Sequence, residues 1–420
     1  MDTTTSASSR RAGSHAVILL LLGISVFINY IDRGNLSIAA PALKDELGMS
    51  AAQLGFLLSA FFWTYALCQP ISGWLVDRFD VNWILAIGFF LWSSATAFTG
   101  LMHQFAALVA VRFVLGVGES VAYPSYAKIL ARHFPEQERG RANAVLTAGM
   151  MLGPAFGMFF GAMLMARFGW RSFFVALGFG SLLWLAPWLR WMPTTQHVAA
   201  VARDAPSLRQ FVWLRAAWGT CGGLFCANYL SYFFITWMPF YLLRERHFSM
   251  GKMGMVAGGS YVAAALSALV CGGLADAWIK SGATPTRVRK TFTVAGMVGA
   301  AGFLIACVTA PANLSIAMLI CVTMSWSVCS SNVWAITFTV AGPLAAGRWT
   351  GMQNCIGNFA GMVAPTLTGL VLDRTGQFFW PFAITAGVCL AGAVCYGLVL
   401  GPVEQVKWGA RPARVEAALS

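Results

Sequence analysis

Asn29-Tyr30-Ile31-Asp32-Arg33-Gly34-Asn35 lies inside an apolar run that extends from about residue 16 to residue 43. At about 1.5 Å of rise per residue, Asp32 falls on the order of 24 Å from the start of that run, past the middle of a bilayer core about 30 Å thick. A carboxylate or a guanidinium facing lipid at that depth costs several kcal/mol, so both must face a protein interior or a water-filled cavity. Adjacent residues on a helix do not face each other, so Asp32 and Arg33 serve different surroundings. Arg33 shares a face with Asn29 and Ser37, a polar stripe suited to a small ligand, whereas Asp32 is turned toward another helix. A static buried ion pair would use the same residue types, but an ionisable group inside the membrane points to function by default.

The rest of the chain supports a polytopic membrane protein. Of 420 residues, 58% are hydrophobic and only 10% are charged, well under the roughly one quarter of a soluble domain. About twelve spans are predicted, near 16–43, 51–76, 82–102, 105–131, 141–166, 170–191, 212–243, 251–279, 290–310, 313–342, 348–372 and 378–401. The predicted fold is therefore all-α, with a polar tail at 1–15, a six-helix half at 16–192, a linker at 193–211, a second six-helix half at 212–402 and a tail at 403–420. The Ser/Thr-rich start is not expected to be a cleavable signal, because the apolar run after it is long enough to span. The ten cysteines form no C-x-x-C, most sit in apolar segments, and no two histidines pair at i, i+4. Neither a metal nor a cofactor is expected.

A net charge of +13 invites a nucleic-acid partner, but the distribution argues against one. With the N-terminus inside, the cytoplasmic side collects most of the basic residues, among them Arg132, Arg139, Arg141, Arg287, Arg289 and Lys290. That asymmetry is the positive-inside rule, and it predicts both termini in the cytoplasm of an inner (plasma) membrane protein. The bilayer is the partner that basicity reflects.

The second span carries Ser59, Tyr65 and Gln69 and ends in Gly73-Trp74-Leu75-Val76-Asp77-Arg78. The fourth places Arg112, Gly116, Glu119 and Tyr123 at spacings of four, three and four residues, hence on one face. Glu119 lies on the order of 22 Å deep. Asp32, Arg33, Arg112 and Glu119 thus reach the middle of the first half, and the second half offers no ionisable residue at comparable depth. It offers amides and aromatics instead: Asn228, Tyr229, Tyr232 and Trp237 in the seventh span, Asn332 in the tenth, and Asn354 and Asn358 one turn apart in the eleventh. Gly149, Gly153, Gly157 and Gly161 mark the fifth span as a close-packing helix.

The halves echo each other. Gly73-x-x-x-Asp77 recurs as Gly272-x-x-x-Asp276, and Arg167-Phe168-Gly169 recurs as Arg374-Thr375-Gly376. A parallel six-plus-six repeat around a central site is a transporter architecture. An aspartate at a helix end can oppose a neighbouring helix N-terminus and would lose that contact when halves rock apart, which makes Asp77, Arg78 and Asp276 gating candidates.

Taken together, Asn29-Tyr30-Ile31-Asp32-Arg33-Gly34-Asn35-Leu36-Ser37, the run from Ser59 through Tyr65 to Gln69, Arg112-x-x-x-Gly116-x-Gly118-Glu119 and Tyr123-Pro124-Ser125 resemble the major facilitator superfamily, and within it the anion–cation symporter family. That family includes bacterial carriers of sugar acids and other organic acids, sialin and the vesicular glutamate carriers. The resemblance covers nearly the whole chain and implies that Asp32 and Glu119 carry protons, that Arg33 binds a substrate carboxylate, and that Tyr65 lines the pocket. Three departures stand out. The loop Phe79-Asp80-Val81-Asn82 lacks the usual glycine and basic residues, Ala227 stands where vesicular glutamate carriers have an arginine, and Met150-Met151 stands where sugar-acid members often have a glutamine. The last two imply one carboxylate anchor and a less hydroxylated substrate, such as an aromatic acid.

The expected function is import of a small organic anion by proton symport, without a cofactor and as a monomer. Asn29, Tyr30, Tyr65, Tyr232, Asn332, Asn354 and Asn358 are expected to line the anion site around Arg33, and Asp32, Glu119 and Arg112 to couple protons. Arg112 and Glu119 are too far apart along one straight helix to pair, so Arg112 is expected to serve Asp32 and Glu119 to face the cavity. Export or exchange would use the same groups, since gradients set direction. An intramembrane enzyme would need a Ser/His/Asp, paired-Asp or zinc-binding constellation, and none is visible.

Overall fold

The computed structural model describes residues 3–134, 136–192 and 208–406. The elements are α1 (Thr3–Glu46), α2 (Ala51–Arg78), α3 (Val81–Thr99), α4 (Phe105–Ser120), α5 (Ala122–His133), α6 (Glu136–Phe156), α7 (Ala162–Leu182), α8 (Leu185–Trp191), α9 (Leu208–Val212), α10 (Arg215–Phe240), α11 (Met250–Lys280), α12 (Pro285–Thr309), α13 (Ala312–Thr375) and α14 (Phe379–Val394). Short π-helical turns follow α6, α10 and α14 at Gly157–Gly161, Tyr241–Glu245 and Cys395–Val399. The described chain is nearly all helix, as the sequence predicts.

Among the described residues, ten stretches are long and apolar enough to cross a membrane. One of them, Val145–Trp191, holds two crossings, because Gly169 takes φ 80° and breaks the helix there. The 26-residue α10 supplies the twelfth; Thr220, Asn228, Ser231 and Thr236 dilute its hydropathy, but its length of about 39 Å is ample. The chain is a multi-pass membrane protein. α13 likewise contains two crossings, separated at Gly342, where φ is 62°. The segment expected as a separate polar tail at 1–15 is continuous with the first span from Thr3 onward; it contains no proline to stop the helix. Most of the linker expected at 193–211, and of the tail at 403–420, lies outside the described residues.

Turn chemistry shows the internal repeat more clearly than the motifs do. Gly48 and His247 both take a positive φ, at 59° and 53°. Two residues later Ser50 and Ser249 cap α2 and α11, accepting from Gln53 N–H and Lys252 N–H. A serine oxygen at that place satisfies a donor the helix cannot satisfy itself. Gly169 and Gly376, the ends of the second repeated motif, also share a positive φ.

Small residues set how closely the helices approach. A Cβ on Gly153 would lie 2.8 Å from the Phe27 carbonyl oxygen, and one on Gly149 would lie 3.0 Å from that of Gly23, so α6 lies backbone-to-backbone on α1. In α4, a Cβ on Gly116 would meet the Phe61 carbonyl oxygen at 2.3 Å, and one on Gly118 would meet Trp92 N at 2.8 Å. These contacts wedge α4 between α2 and α3 and fix its rotation about its own axis.

Candidate functional site

That rotation decides where Glu119 points. Its Oε2 lies 3.3 Å from Nε of Arg33, and the two side chains are only 0% and 8% exposed. The Arg33 guanidinium is enclosed by aromatic rings: its carbon is 4.8 Å from the centroids of both Tyr30 and Tyr65 and 5.4 Å from that of Phe61. Tyr30 precedes Arg33 by three residues on α1, and Phe61 and Tyr65 are one turn apart on α2, so helical spacing alone presents the rings to one point. Tyr65 stacks on Phe61 at 5.2 Å and 25°. Rings around a cation attract it and limit its movement, a contribution of about 0.5–2 kcal/mol each. With Nε committed to Glu119, Nη2 is buried without a hydrogen-bond partner. A guanidinium held on one edge and open on another can take a carboxylate in a planar, two-donor contact.

Asp32, on the adjoining face of α1, is 2% exposed, and neither of its carboxylate oxygens has a hydrogen-bond partner. Thr96 and Asn35 flank it, and the charges of Arg112 and Glu119 act on it. Arg112 is also buried, and its Nε is unpartnered. The charge of Arg112 acts on Asp32 without a bond between them, and Glu119, expected to face the cavity near the substrate, is joined to Arg33, the expected anchor. Asn29 is buried with both amide atoms unpartnered, close to Glu119. If all four ionisable groups are charged, the cluster is neutral.

The second half closes the site with aromatics and amides. Tyr232 of α10 donates from Oη to Asn358 Oδ1 at 2.6 Å, and Asn358 Nδ2 donates to Asn354 Oδ1 at 3.2 Å and to Asn354 O at 2.8 Å. The Tyr232 ring lies 4.3 Å from that of Phe62, which is where the two halves touch beside the cation. Met150 and Tyr232 pack against the same apolar cluster as Tyr30.

Asn332 is not brought to this site. Its Oδ1 accepts from Arg289 Nη1 at 3.3 Å, and Arg289 Nη2 in turn lies 3.7 Å from Asp276 Oδ1. This triad ties α11, α12 and α13 within one half; Asn332 lies before the break at Gly342, whereas Asn354 and Asn358 lie after it. Asp276 is thereby engaged inside its own half, and Arg78 stacks over Trp74 at 5.5 Å. The side chain of Asp77 lies outside the described residues.

Sequence reasoning left three residues out of the site. Phe61 and Phe62 were in plain view within the run from Ser59 to Tyr65. Tyr123, one turn from Glu119, bonds to Tyr30 through the two hydroxyls at 3.0 Å; its place on the Arg112–Glu119 face was the available signal.

A family model described as Major Facilitator Superfamily matches residues 22–365. The chain is 28% identical to a probable galactarate/D-glucarate transporter of Bacillus subtilis, over 93% of this chain and 92% of that one. It is 29% identical to a probable L-galactonate transporter of Escherichia coli, over 93% and 90%. It is also 29% identical to a probable sulfoacetate transporter of Cupriavidus necator, over 94% and 96%. In fold it is similar to a bacterial homologue of the human lysosomal transporter Spinster in its inward-facing, occupied form, with a TM-score of 0.78 at 17% identity over 92% of this chain and 96% of that one.

Proposed function

The chain belongs to the Major Facilitator Superfamily, and we propose that it imports a small organic anion together with protons by alternating access. The observation that carries this reading is the divided Arg33 guanidinium, bonded to Glu119 through Nε while the buried Nη2 has no partner. The relatives named for sugar acids and sulfoacetate carry anions, and one fixed cation among aromatic walls suits an anion. The binding groups are Arg33 for the carboxylate, with Asn29, Tyr30, Tyr65, Tyr232, Asn354 and Asn358 around the rest of the molecule. Asn332 has no part in this reading.

Charge balance supplies the coupling. An incoming carboxylate on the Nη edge adds a negative charge a few ångströms from Glu119. Two like charges about 5 Å apart repel by about 3 kcal/mol at an effective dielectric near 20. A proton on Glu119 removes that repulsion and restores neutrality, so anion and proton bind together. Asp32 is the second proton group: Arg112 lies near it without bonding to it, and a change in their separation between two states would change how firmly Asp32 holds a proton. Two protons with a monovalent anion move one net positive charge inward.

The positive-inside rule assigns the end that bears Lys128, Arg132, Lys280 and Arg287 to the cytoplasm of the plasma (inner) membrane, with both termini there. Arg78, with Asp77, and Asp276 lie at that end, and their gating role would be exerted there. The opposite end, around Ser50 and Asp373, then faces outward. Uptake of a panel of labelled acids into proteoliposomes, with and without an inward proton gradient, tests the reading. Gradient-dependent accumulation of a carboxylate supports it, and uptake indifferent to the gradient for every acid contradicts it.

A further inference from the structure

Asp373, near the C-terminal end of α13, accepts two hydrogen bonds from the other half of the molecule. The Ala51 N–H donates to its Oδ1 and the Ala52 N–H to its Oδ2, each at 2.7 Å. These are the first two amides of α2. The third, Gln53 N–H, goes to Ser50 Oγ, and the Ser50 N–H goes to the Gln53 side chain. A helix leaves its first amides without partners; here the local cap satisfies one, and the opposite half supplies the acceptors for the two before it. A carboxylate at that end also complements the helix dipole.

Below the clasp the two helices close like a zipper, antiparallel and on one face of each. A Cβ on Gly369 would lie 2.3 Å from the Ala51 carbonyl oxygen, and one on Gly55 would lie 2.5 Å from that of Pro365. One turn further, Thr366 Oγ1 donates to Ser59 Oγ at 2.9 Å. Then Phe62 fills the space over Gly361, where a Cβ would meet its ring at 2.3 Å, and packs at a tilt against Tyr232. From Ala51 to Phe62 the seam runs about 16 Å, ending at the rings and amides of the candidate site. Arg244, in the π-helical turn after α10, adds a second tie at the same end by pairing with Asp45 of α1.

We infer that Asp373 is the latch of this seam: its bidentate cap on α2 holds the outer end shut, and its release frees Phe62 and Tyr232 at the site. The inference holds whichever anion is carried. Bending the halves apart breaks both Asp373 bonds at once and leaves the Ala51 and Ala52 amides to water, so the latch favours the closed end without making it permanent.

Hydrogen–deuterium exchange on the full-length protein in lipid nanodiscs tests it. In Asp373→Ala, the amides of residues 55–62 and 358–369, which Asp373 does not touch, are expected to exchange about fivefold faster than in the parent, the weight of one lost cap. Gly369→Ala, which forces the same seam apart from a different position, is expected to act in the same direction. Unchanged exchange in α3 shows that the fold is intact. Faster exchange confined to residues 51–54 would mean a local cap only and would overturn the inference, as would seam exchange that rises in Gly369→Ala but not in Asp373→Ala.

Discussion

Nε of Arg33 and Oε2 of Glu119 are joined at 3.3 Å across two helices, inside a shell of tyrosine and phenylalanine rings. The contact makes one guanidinium the common partner of a protein carboxylate and, in the function proposed here, of a substrate carboxylate. Each partner is then sensitive to the charge state of the other.

Arg33→Lys keeps the charge but removes the planar fork, so a single ammonium must serve Glu119 or the anion. Substrate affinity is expected to fall at least about tenfold, the weight of one charge-assisted hydrogen bond, as read by equilibrium binding in detergent or nanodiscs. Parent-like affinity would remove Arg33 from the binding site.

Asp32→Asn leaves the Arg33–Glu119 contact in place. Binding and exchange of labelled substrate across proteoliposome membranes are expected to persist, while accumulation driven by a proton gradient is lost. A variant that still concentrates substrate at the parent rate would show that Asp32 is not a coupling group.

How much of this was legible beforehand depends on what sets each feature. The twelve crossings among the described residues follow from apolar length, and the one that hydropathy understates, α10, is legible once its length is counted. The depth of Asp32, Arg33, Arg112 and Glu119 also follows from rise per residue. Their pairing does not, because it depends on the rotation of α4 against α1, and that is fixed by the close approach of Gly116 to the backbone of α2 and of Gly118 to the backbone of α3. Asn332 looked equivalent to Asn354 and Asn358 for a related reason: amides in one half are indistinguishable until the break at Gly342 and the reach of Arg289 are known. The Asp373 cap joins residues more than three hundred positions apart, and no local pattern announces it.

Gly116→Ala places a methyl group 2.3 Å from the Phe61 carbonyl oxygen and 2.2 Å from Thr64 Oγ1. Overpacking of that kind typically costs about 1–3 kcal/mol. A lower midpoint of thermal unfolding is expected, together with weaker binding, since displacing α4 also displaces Glu119. An unchanged midpoint would mean that α4 can shift without consequence and does not set the position of Glu119.

With Arg112 assigned to Asp32, the Arg33 guanidinium and its aromatic walls are expected to favour a single carboxylate. Monocarboxylates should compete for labelled uptake at least as well as dicarboxylates of matched size. Competition by dicarboxylates alone would require a second cationic anchor.

In the function proposed, the substrate anion and a proton on Glu119 bind together at Arg33. Calorimetric binding titrations in buffers of different ionisation enthalpy count the protons taken up with each anion, at a pH where Glu119 is ionised before binding. The parent protein is expected to take up about one proton more per anion than Glu119→Gln does, and its affinity to fall as pH rises while that of the variant changes less. Equal proton uptake by the two proteins would contradict the claim.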